Sequence, residues 1–156
     1  MSKKQLSFVS FSCDDNQFLA ALSMDDFVES SSNVEVLLHK ASKRYGDSIG
    51  AMRAVLSEIQ SLRDNRIAIP ARKVWKLGDL IFKLTRKMEN LSLQIDGLYA
   101  HLRRDLNVNH KWLEKVVTLR RYLPRQTLIP KPLNWGKCDK GTRRVAEELL
   151  RTGKKG

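Results

Sequence analysis

Residues 110–121 combine the side-chain types that contact both the bases and the phosphates of DNA. Lysine can donate to guanine and the threonine methyl can touch thymine, so Lys111, Lys115 and Thr118 are the candidates for base contact. The neighbouring polar residues that suit phosphate are His110, Arg120 and Arg121. On the outer face of a helix, this set matches the recognition helix of a DNA-binding protein.

Other lysines and arginines in the same part of the chain are candidates for phosphate contact, because their charge attracts the nucleic-acid backbone without reading its sequence. These candidates are Arg72, Lys73, Lys76, Arg103, Arg104, Arg125, Lys131 and Lys137. A run of charges is also typical of a solvated helix face, and cations near the end of a helix suit its dipole. Both interpretations stay open for these residues.

The sequence does not arrange its reactive residues for catalysis. The three histidines cluster neither with one another nor with a cysteine, and no glycine-rich phosphate loop is present. No Asp or Glu is followed two residues later by Lys, the spacing found in many metal-dependent nucleases. We therefore predict that the protein is not an enzyme and has no catalytic residue, metal site or cofactor.

Cysteine usage and hydropathy indicate where the protein works. Cys13 and Cys138 lie far apart and form no CxxC pair, which favours two free thiols in a reducing compartment over a disulfide. No apolar run approaches the roughly 18 residues that a membrane span requires. We expect a cytoplasmic protein with no membrane partner.

The net charge of +12 is concentrated in one part of the chain. Residues 1–69 contain eight Lys and Arg against nine Asp and Glu, whereas residues 70–156 contain 21 against eight. A field of one sign attracts polyanions, and nucleic acid is the commonest of these in the cytoplasm. We expect a nucleic-acid partner, with duplex DNA favoured. An acidic protein partner and a merely basic surface are the alternatives.

The predicted fold class is all-α: a helical bundle that contains a helix-turn-helix-like unit and has a short N-terminal arm. The arm, residues 1–33, begins with a short strand at 6–11, and its stretch 16–29 alternates acidic and apolar residues. Such a stretch either docks on a partner as an amphipathic helix or folds back on the chain's own basic half, and both interpretations stay open. Residues 34–69 are a helical scaffold or a homodimer face. Their apolar periodicity predicts one helix, or two helices divided near Gly46 and Gly50.

Residues 70–156 are predicted to form the basic, nucleic-acid-binding domain. Pro70 opens a helix that runs to about residue 90, since proline suits the first turn. A second helix covers 93–106, with Tyr99 among its inward residues, and a third covers 110–123. The two residues that limit the third helix are Asn109 as N-cap and Pro124 as terminator. The three residues between the second and third helices allow only a turn, as in a helix-turn-helix or a plain helical hairpin.

The rest of this domain is predicted to be less regular. Residues 125–141 contain prolines and glycines, and their apolar side chains are expected to pin the segment to the core. Those side chains are Leu128, Ile129, Leu133 and Trp135. A last helix covers 142–152 and ends at Gly153.

From Trp75 to the last helix, the spacing resembles the amino-terminal domain of YhcG-type proteins, a bacterial family that usually carries a PD-(D/E)XK nuclease domain. The residues that match are Trp75, Gly78, Ile81, Leu98, Leu102, Leu106, Leu113, Val116, Leu119, Leu123, Pro124, Leu133 and Trp135. The pairs Gln94-Ile95 and Gly136-Lys137 depart from the family pattern. The resemblance implies a helical protein of DNA processing or DNA defence. It carries no nuclease activity over, because the family's nuclease half has no counterpart in these residues.

Three functions follow from these patterns. The first is a DNA-binding module that regulates transcription or delivers a partner nuclease to DNA. The second is a small helical subunit of a ribonucleoprotein or defence complex that holds only the nucleic-acid backbone. The third is an antitoxin-like or inhibitor-like interaction protein whose acidic arm binds a basic partner or masks its own basic residues.

Overall fold

The computed structural model describes residues 9–14, 17–21, 31–91, 93–95 and 97–155. These residues form mainly α-helix, which confirms the predicted all-α class, and a small three-stranded sheet accompanies the helices. The helices are α1 (Ser31–Asp64), α2 (Ala71–Asn90), α3 (Leu98–Leu106), α4 (His110–Tyr122) and α5 (Thr142–Lys155). The strands are β1 (Val9–Asp14), β2 (Gln17–Ala21) and β3 (Leu93–Ile95).

The chain divides into two compact units, each made of two separate stretches. Met1–Ile49 and Lys83–Asn107 form one unit, which we call the neutral unit for its charge. Gly50–Phe82 and Val108–Gly156 form the other, which we call the basic unit. Composition and motifs divide the sequence differently, into the segments 1–33, 34–69 and 70–156. The functions assigned to these segments stay predictions.

The sheet of the neutral unit corrects two predicted helices. β1 pairs antiparallel with β2 and parallel with β3, so that Val9 lies opposite Leu93 and Phe11 opposite Ile95. Residues 93–95 are therefore a strand, and helix α3 begins only after Gly97, whose φ of 65° lies in the left-handed region. The stretch 17–21 is also a strand, while 22–30, the rest of the predicted docking helix, lies outside the described residues.

Helix α1 is continuous, so Gly46 and Gly50 do not divide it. Its buried positions recur at helical spacing, and Ala41, Tyr45, Ile49, Met52 and Ile59 are among them as the apolar periodicity predicts. Val55 is buried where the periodicity favours Leu56, which is half-buried. The Tyr45 hydroxyl donates a hydrogen bond to the Asp105 carboxylate. This stripe is buried within the chain. The assignment of residues 34–69 as a scaffold or a homodimer face stays a prediction.

Helix α2 begins directly after Pro70 and ends at Asn90, as predicted. One face of this helix is a buried apolar stripe, formed by Val74, Leu77, Ile81, Leu84 and Met88. In the basic unit, α2 approaches α4 closely at Gly78, where an added Cβ would lie 2.7 Å from the Val116 carbonyl oxygen. Only a residue without a side chain fits this approach.

The segment after α4 is held to the start of α2 by backbone hydrogen bonds. The Trp135 N–H donates to the Ile69 carbonyl at 2.7 Å, and the Ala71 N–H donates to the Leu133 carbonyl at 2.9 Å. The side chains of Leu128, Ile129 and Trp135 are buried and that of Leu133 is half-buried, so the predicted pinning is confirmed. Helix α5 packs against α4 and continues through Gly153 to Lys155, three residues beyond its predicted last residue.

Candidate nucleic-acid interface

Helix α4, the predicted recognition helix, begins as its sequence indicates. The Asn109 side chain accepts hydrogen bonds from the backbone N–H groups of Lys111 (2.8 Å) and Trp112 (3.4 Å). These bonds satisfy donors that the first turn of a helix leaves free. Asn107, in the left-handed conformation with φ 54°, ends α3 two residues earlier. Helix α3 belongs to the neutral unit and α4 to the basic unit, and the helix-turn-helix interpretation stays a prediction.

Lys115, a predicted base contact, is held by a carboxylate. Its Nζ lies 2.8 Å from Asp139 Oδ1, and the two side chains are 39% and 43% exposed. An ion pair that is open to solvent is weak, typically about 0–1 kcal/mol, so Lys115 can exchange one anion for another. In the free protein, however, Asp139 neutralises the Lys115 charge.

Arg120 is a structural residue, which corrects its assignment as a nucleic-acid contact. Its Nε donates to Asp79 Oδ1 at 2.8 Å, and the two side chains are only 14% and 13% exposed. The guanidinium also lies 4.1 Å from the Phe82 ring centroid and 5.3 Å from that of Trp75. These contacts on two aromatic faces, together with the buried ion pair, fix α4 to α2.

The remaining predicted side chains of α4 differ in exposure. Lys111 and Arg121 are exposed and make no ion pair among the described residues. His110 is exposed and its Nε2 lies 3.3 Å from Glu114 Oε2, a pair that is ionic only when the imidazole is protonated. Thr118 is half-buried. The outer face of α4 is therefore less cationic than its sequence predicts.

Two of the three predicted cations on α2 already form hydrogen bonds or ion pairs within the protein. Arg72 Nε donates to the Ile129 carbonyl at 2.6 Å, so this side chain holds the segment after α4. Lys73 Nζ pairs with Glu58 and lowers the pKa of that carboxyl through a hydrogen bond and its charge. Lys76 is exposed, and the structure gives it no ion pair within the described chain. Of the three, Lys76 is the residue available to a phosphate.

The cations after α4 are the most accessible of the predicted set. Arg125, Lys131 and Lys137 are exposed, and none forms an ion pair with a residue that the structure describes. Lys140, which the sequence also places among the cations of this segment, and Arg144 have the same properties. Only Arg144 was not indicated by the sequence. Arg144 is the second of two arginines in the first turn of α5, which contains no acidic residue, and the first of them, Arg143, pairs with Glu147 one turn later.

Arg103 and Arg104 lie in the neutral unit and not in the basic one. Arg103 is exposed, whereas Arg104 Nε pairs with the adjacent Asp105 carboxylate at 3.1 Å. Both lie in the last turn of α3, where cations stabilise the helix dipole. Their role as phosphate contacts stays a prediction.

The two units carry very different charges. The neutral unit contains ten Lys and Arg and ten Asp and Glu, whereas the basic unit contains 19 against seven. The entire net charge of +12 therefore belongs to the basic unit. The described cations of this unit that form ion pairs include Lys73, Lys115, Arg120, Arg143 and Arg151. The exposed cations described above, which form no ion pair with a described residue, are part of the positive surplus of this unit.

The chemistry of the remaining reactive groups is limited. In the part of the chain that the structure describes, no three His, Cys, Asp or Glu residues lie together as metal ligands, and no helix is long and apolar enough to span a bilayer. Cys138 is a free, buried thiol, and burial raises its pKa, with a further rise from the Asp139 charge. A thiol of raised pKa is a poor nucleophile at neutral pH.

Comparison of the chain with family models, with curated proteins and with solved structures finds no match in any of the three. The resemblance to the YhcG-type amino-terminal domain stays a prediction.

Proposed function

We propose that this protein binds nucleic acid through its basic unit and is not an enzyme. Duplex DNA is the favoured partner. The observation that carries the proposal is the charge of the basic unit, 19 cations against seven carboxylates within one compact body. Such a field attracts a polyanion and releases its condensed counterions when the two associate.

Helix α4 and the segment after it supply the contacts. Lys111 and Arg121 are exposed on the helix, and Arg125, Lys131 and Lys137 are exposed after it, without carboxylate partners among the described residues. Long cationic side chains of this kind bind phosphate oxygens readily. Taken with the resemblance to a family of DNA-processing proteins, these contacts support an accessory subunit or a regulator of a bacterial DNA-processing or defence system, located in the cytoplasm.

The test is a titration of the full-length chain into labelled duplex DNA of mixed sequence at several salt concentrations. We expect the logarithm of the affinity to fall linearly with the logarithm of salt, with a slope of about −0.9 for each phosphate neutralised. Replacing Lys111 and Arg121 together by Gln should lower the affinity by about tenfold and reduce the magnitude of the slope by about two.

The matched control removes the same two charges from the neutral unit, where Lys40 and Lys87 are exposed. The K40Q/K87Q variant should bind about as tightly as the unchanged protein, because its basic unit is intact. Equal losses in the two double variants would mean that binding follows total charge and not the basic unit. An absence of binding at low salt would refute the proposed function itself.

A further inference from the structure

We infer that the basic unit holds double-stranded nucleic acid through its phosphates alone and does not read base sequence. This inference rests on the nucleic-acid binding proposed above and adds the class of partner. It differs from the expectation that α4 inserts base-reading side chains into the major groove. The reason lies in the contacts that the side chains of α4 already make.

Two polar side chains of α4 already have partners within the protein. Base readout needs side chains that can form paired hydrogen bonds or methyl contacts with base edges in the groove. Lys115 is paired with Asp139, and Arg120 lies against Asp79 and two aromatic rings. Thr118 is half-buried, so it presents less surface to a groove than an exposed residue. Along the helix, this leaves cations only near the two ends, at Lys111 and Arg121.

Those two exposed cations suit phosphates better than bases. Lys111 lies in the first turn of α4 and Arg121 in its last, so about 15 Å of helix separates them at 1.5 Å per residue. A recognition helix reads bases from neighbouring side chains near one end, whereas cations this far apart suit phosphates that are several nucleotides apart.

Most aromatic side chains of the basic unit are buried, half-buried or lie beneath an arginine, which disfavours a single-stranded partner. Proteins that bind single strands stack bases on exposed aromatic rings. Trp75 and Trp135 are only 8% and 5% exposed, and the Trp112 indole nitrogen is buried. Phe82 and Tyr122 have an arginine over the ring, Arg120 at 4.1 Å and Arg143 at 5.5 Å from the centroids. Phe82 keeps 39% of its surface exposed, yet Arg120 lies over its ring, and Trp112 and Tyr122 are half-buried. The described part of this unit therefore offers little open aromatic surface for stacking.

The segment after α4 carries cations suited to a backbone. Lys131 lies within a turn closed by the hydrogen bond from the Leu133 N–H to the Pro130 carbonyl, 3.0 Å long, so its side chain projects from the tip of a loop. Arg125 and Lys137, on either side of this turn, are also exposed. Duplex DNA presents one phosphate charge per about 1.7 Å of axis, against about 3.4 Å for each strand. Its higher charge density attracts such cations more strongly than a single strand does.

The experiment measures binding of the full-length chain to four labelled probes at one salt concentration. Three probes are duplexes of about 24 base pairs that are GC-rich, AT-rich and mixed in sequence, and the fourth is the mixed sequence as a single strand. We expect the three duplex affinities to agree within about threefold, with equal salt slopes. The single strand should bind about tenfold more weakly.

Two variants separate phosphate contact from base reading. K111Q/R121Q should weaken binding to all three duplexes by the same factor, because phosphates are common to them. Thr118→Ala should leave each affinity within about twofold, because a threonine that reads no base contributes no discrimination. A Thr118→Ala variant with an altered order of preference among the duplexes would overturn the inference.

Selection from a randomised duplex pool gives a further decisive result. A phosphate-only binder should enrich no common motif. Convergence on one motif, bound more than about 30-fold tighter than random duplex, would overturn the inference and leave the proposed function intact. A single strand bound as tightly as duplex would also overturn it. If none of the four probes binds, the proposed function fails and the inference falls with it.

Discussion

At the scale of single residues, two basic side chains of α4 with similar sequence contexts have different roles. Arg120 and Arg121 are adjacent, yet Arg120 is inserted between α4 and α2 while Arg121 is exposed to solvent. The difference comes from Asp79, Trp75 and Phe82, which lie about 40 residues earlier in the chain and surround only Arg120. A charge that looks functional in the sequence is therefore part of the core.

We predict that Arg120→Ala lowers the free energy of unfolding by about 2 kcal/mol, because it removes a part-buried charged hydrogen bond to Asp79 and the contacts of the guanidinium with two aromatic rings. Urea unfolding followed by circular dichroism measures the change. The matched control, Arg121→Ala, should change stability by less than about 0.5 kcal/mol, since this side chain is exposed. Equal stability of the two variants would contradict a structural role for Arg120.

At the scale of elements, the contact between α2 and α4 depends on a glycine. An added Cβ at Gly78 would lie 2.7 Å from the Val116 carbonyl and 2.8 Å from Arg120 Cβ, closer than real Cβ contacts. Neither neighbour is the flexible end of a side chain, so the helices themselves must separate to accept a larger residue. The same approach also positions Arg120 over its aromatic neighbours.

We expect Gly78→Ala to destabilise the protein by about 2 kcal/mol through overpacking, although alanine is the better helix former. Gly50→Ala is the matched control, because Gly50 lies within α1 with nothing within 4 Å of an added Cβ. That substitution should stabilise the protein by about 0.5–1 kcal/mol. Thermal unfolding of both variants would show shifts of opposite sign, and shifts of the same sign would contradict the close packing at Gly78.

Local patterns predicted most of the elements, and distant partners account for the differences. The sequence directly indicates three features that depend only on residues a few positions apart along the chain. They are the buried stripe of α2, the proline before α2 and the Asn109 cap of α4. Residues 93–95 carry a helical pattern but form a strand, because their partner strand lies at 9–11. Lys115 likewise pairs with Asp139, 24 residues away, which no local periodicity indicates.

At the scale of the whole molecule, the charge is divided unequally. The neutral unit has no net charge, while the basic unit carries +12 within about half of the residues. Like charges confined to one compact body repel one another and oppose its folding. The same surplus that attracts a polyanion therefore destabilises the free protein.

We predict that added NaCl stabilises the protein. The Debye length falls from about 10 Å at 0.1 M to about 3 Å at 1 M, so the repulsion between the cations of the basic unit weakens. The urea midpoint should rise across this range. A variant with Lys76, Lys131 and Lys137 replaced by Gln should respond less to salt, since these exposed cations contribute to the repulsion. A midpoint that falls with salt would mean that the ion pairs outweigh the surplus charge.

The interleaving of the two units along the chain has a consequence for synthesis on the ribosome. The chain crosses from one unit to the other at 49/50, 82/83 and 107/108. The neutral unit has all its residues once position 107 has emerged, whereas the basic unit waits for α5. The emerging polypeptide thus completes the neutral unit before the basic unit. A ribosome that stalls before residue 142 releases a product whose basic body lacks α5, with much of the cationic surplus already present.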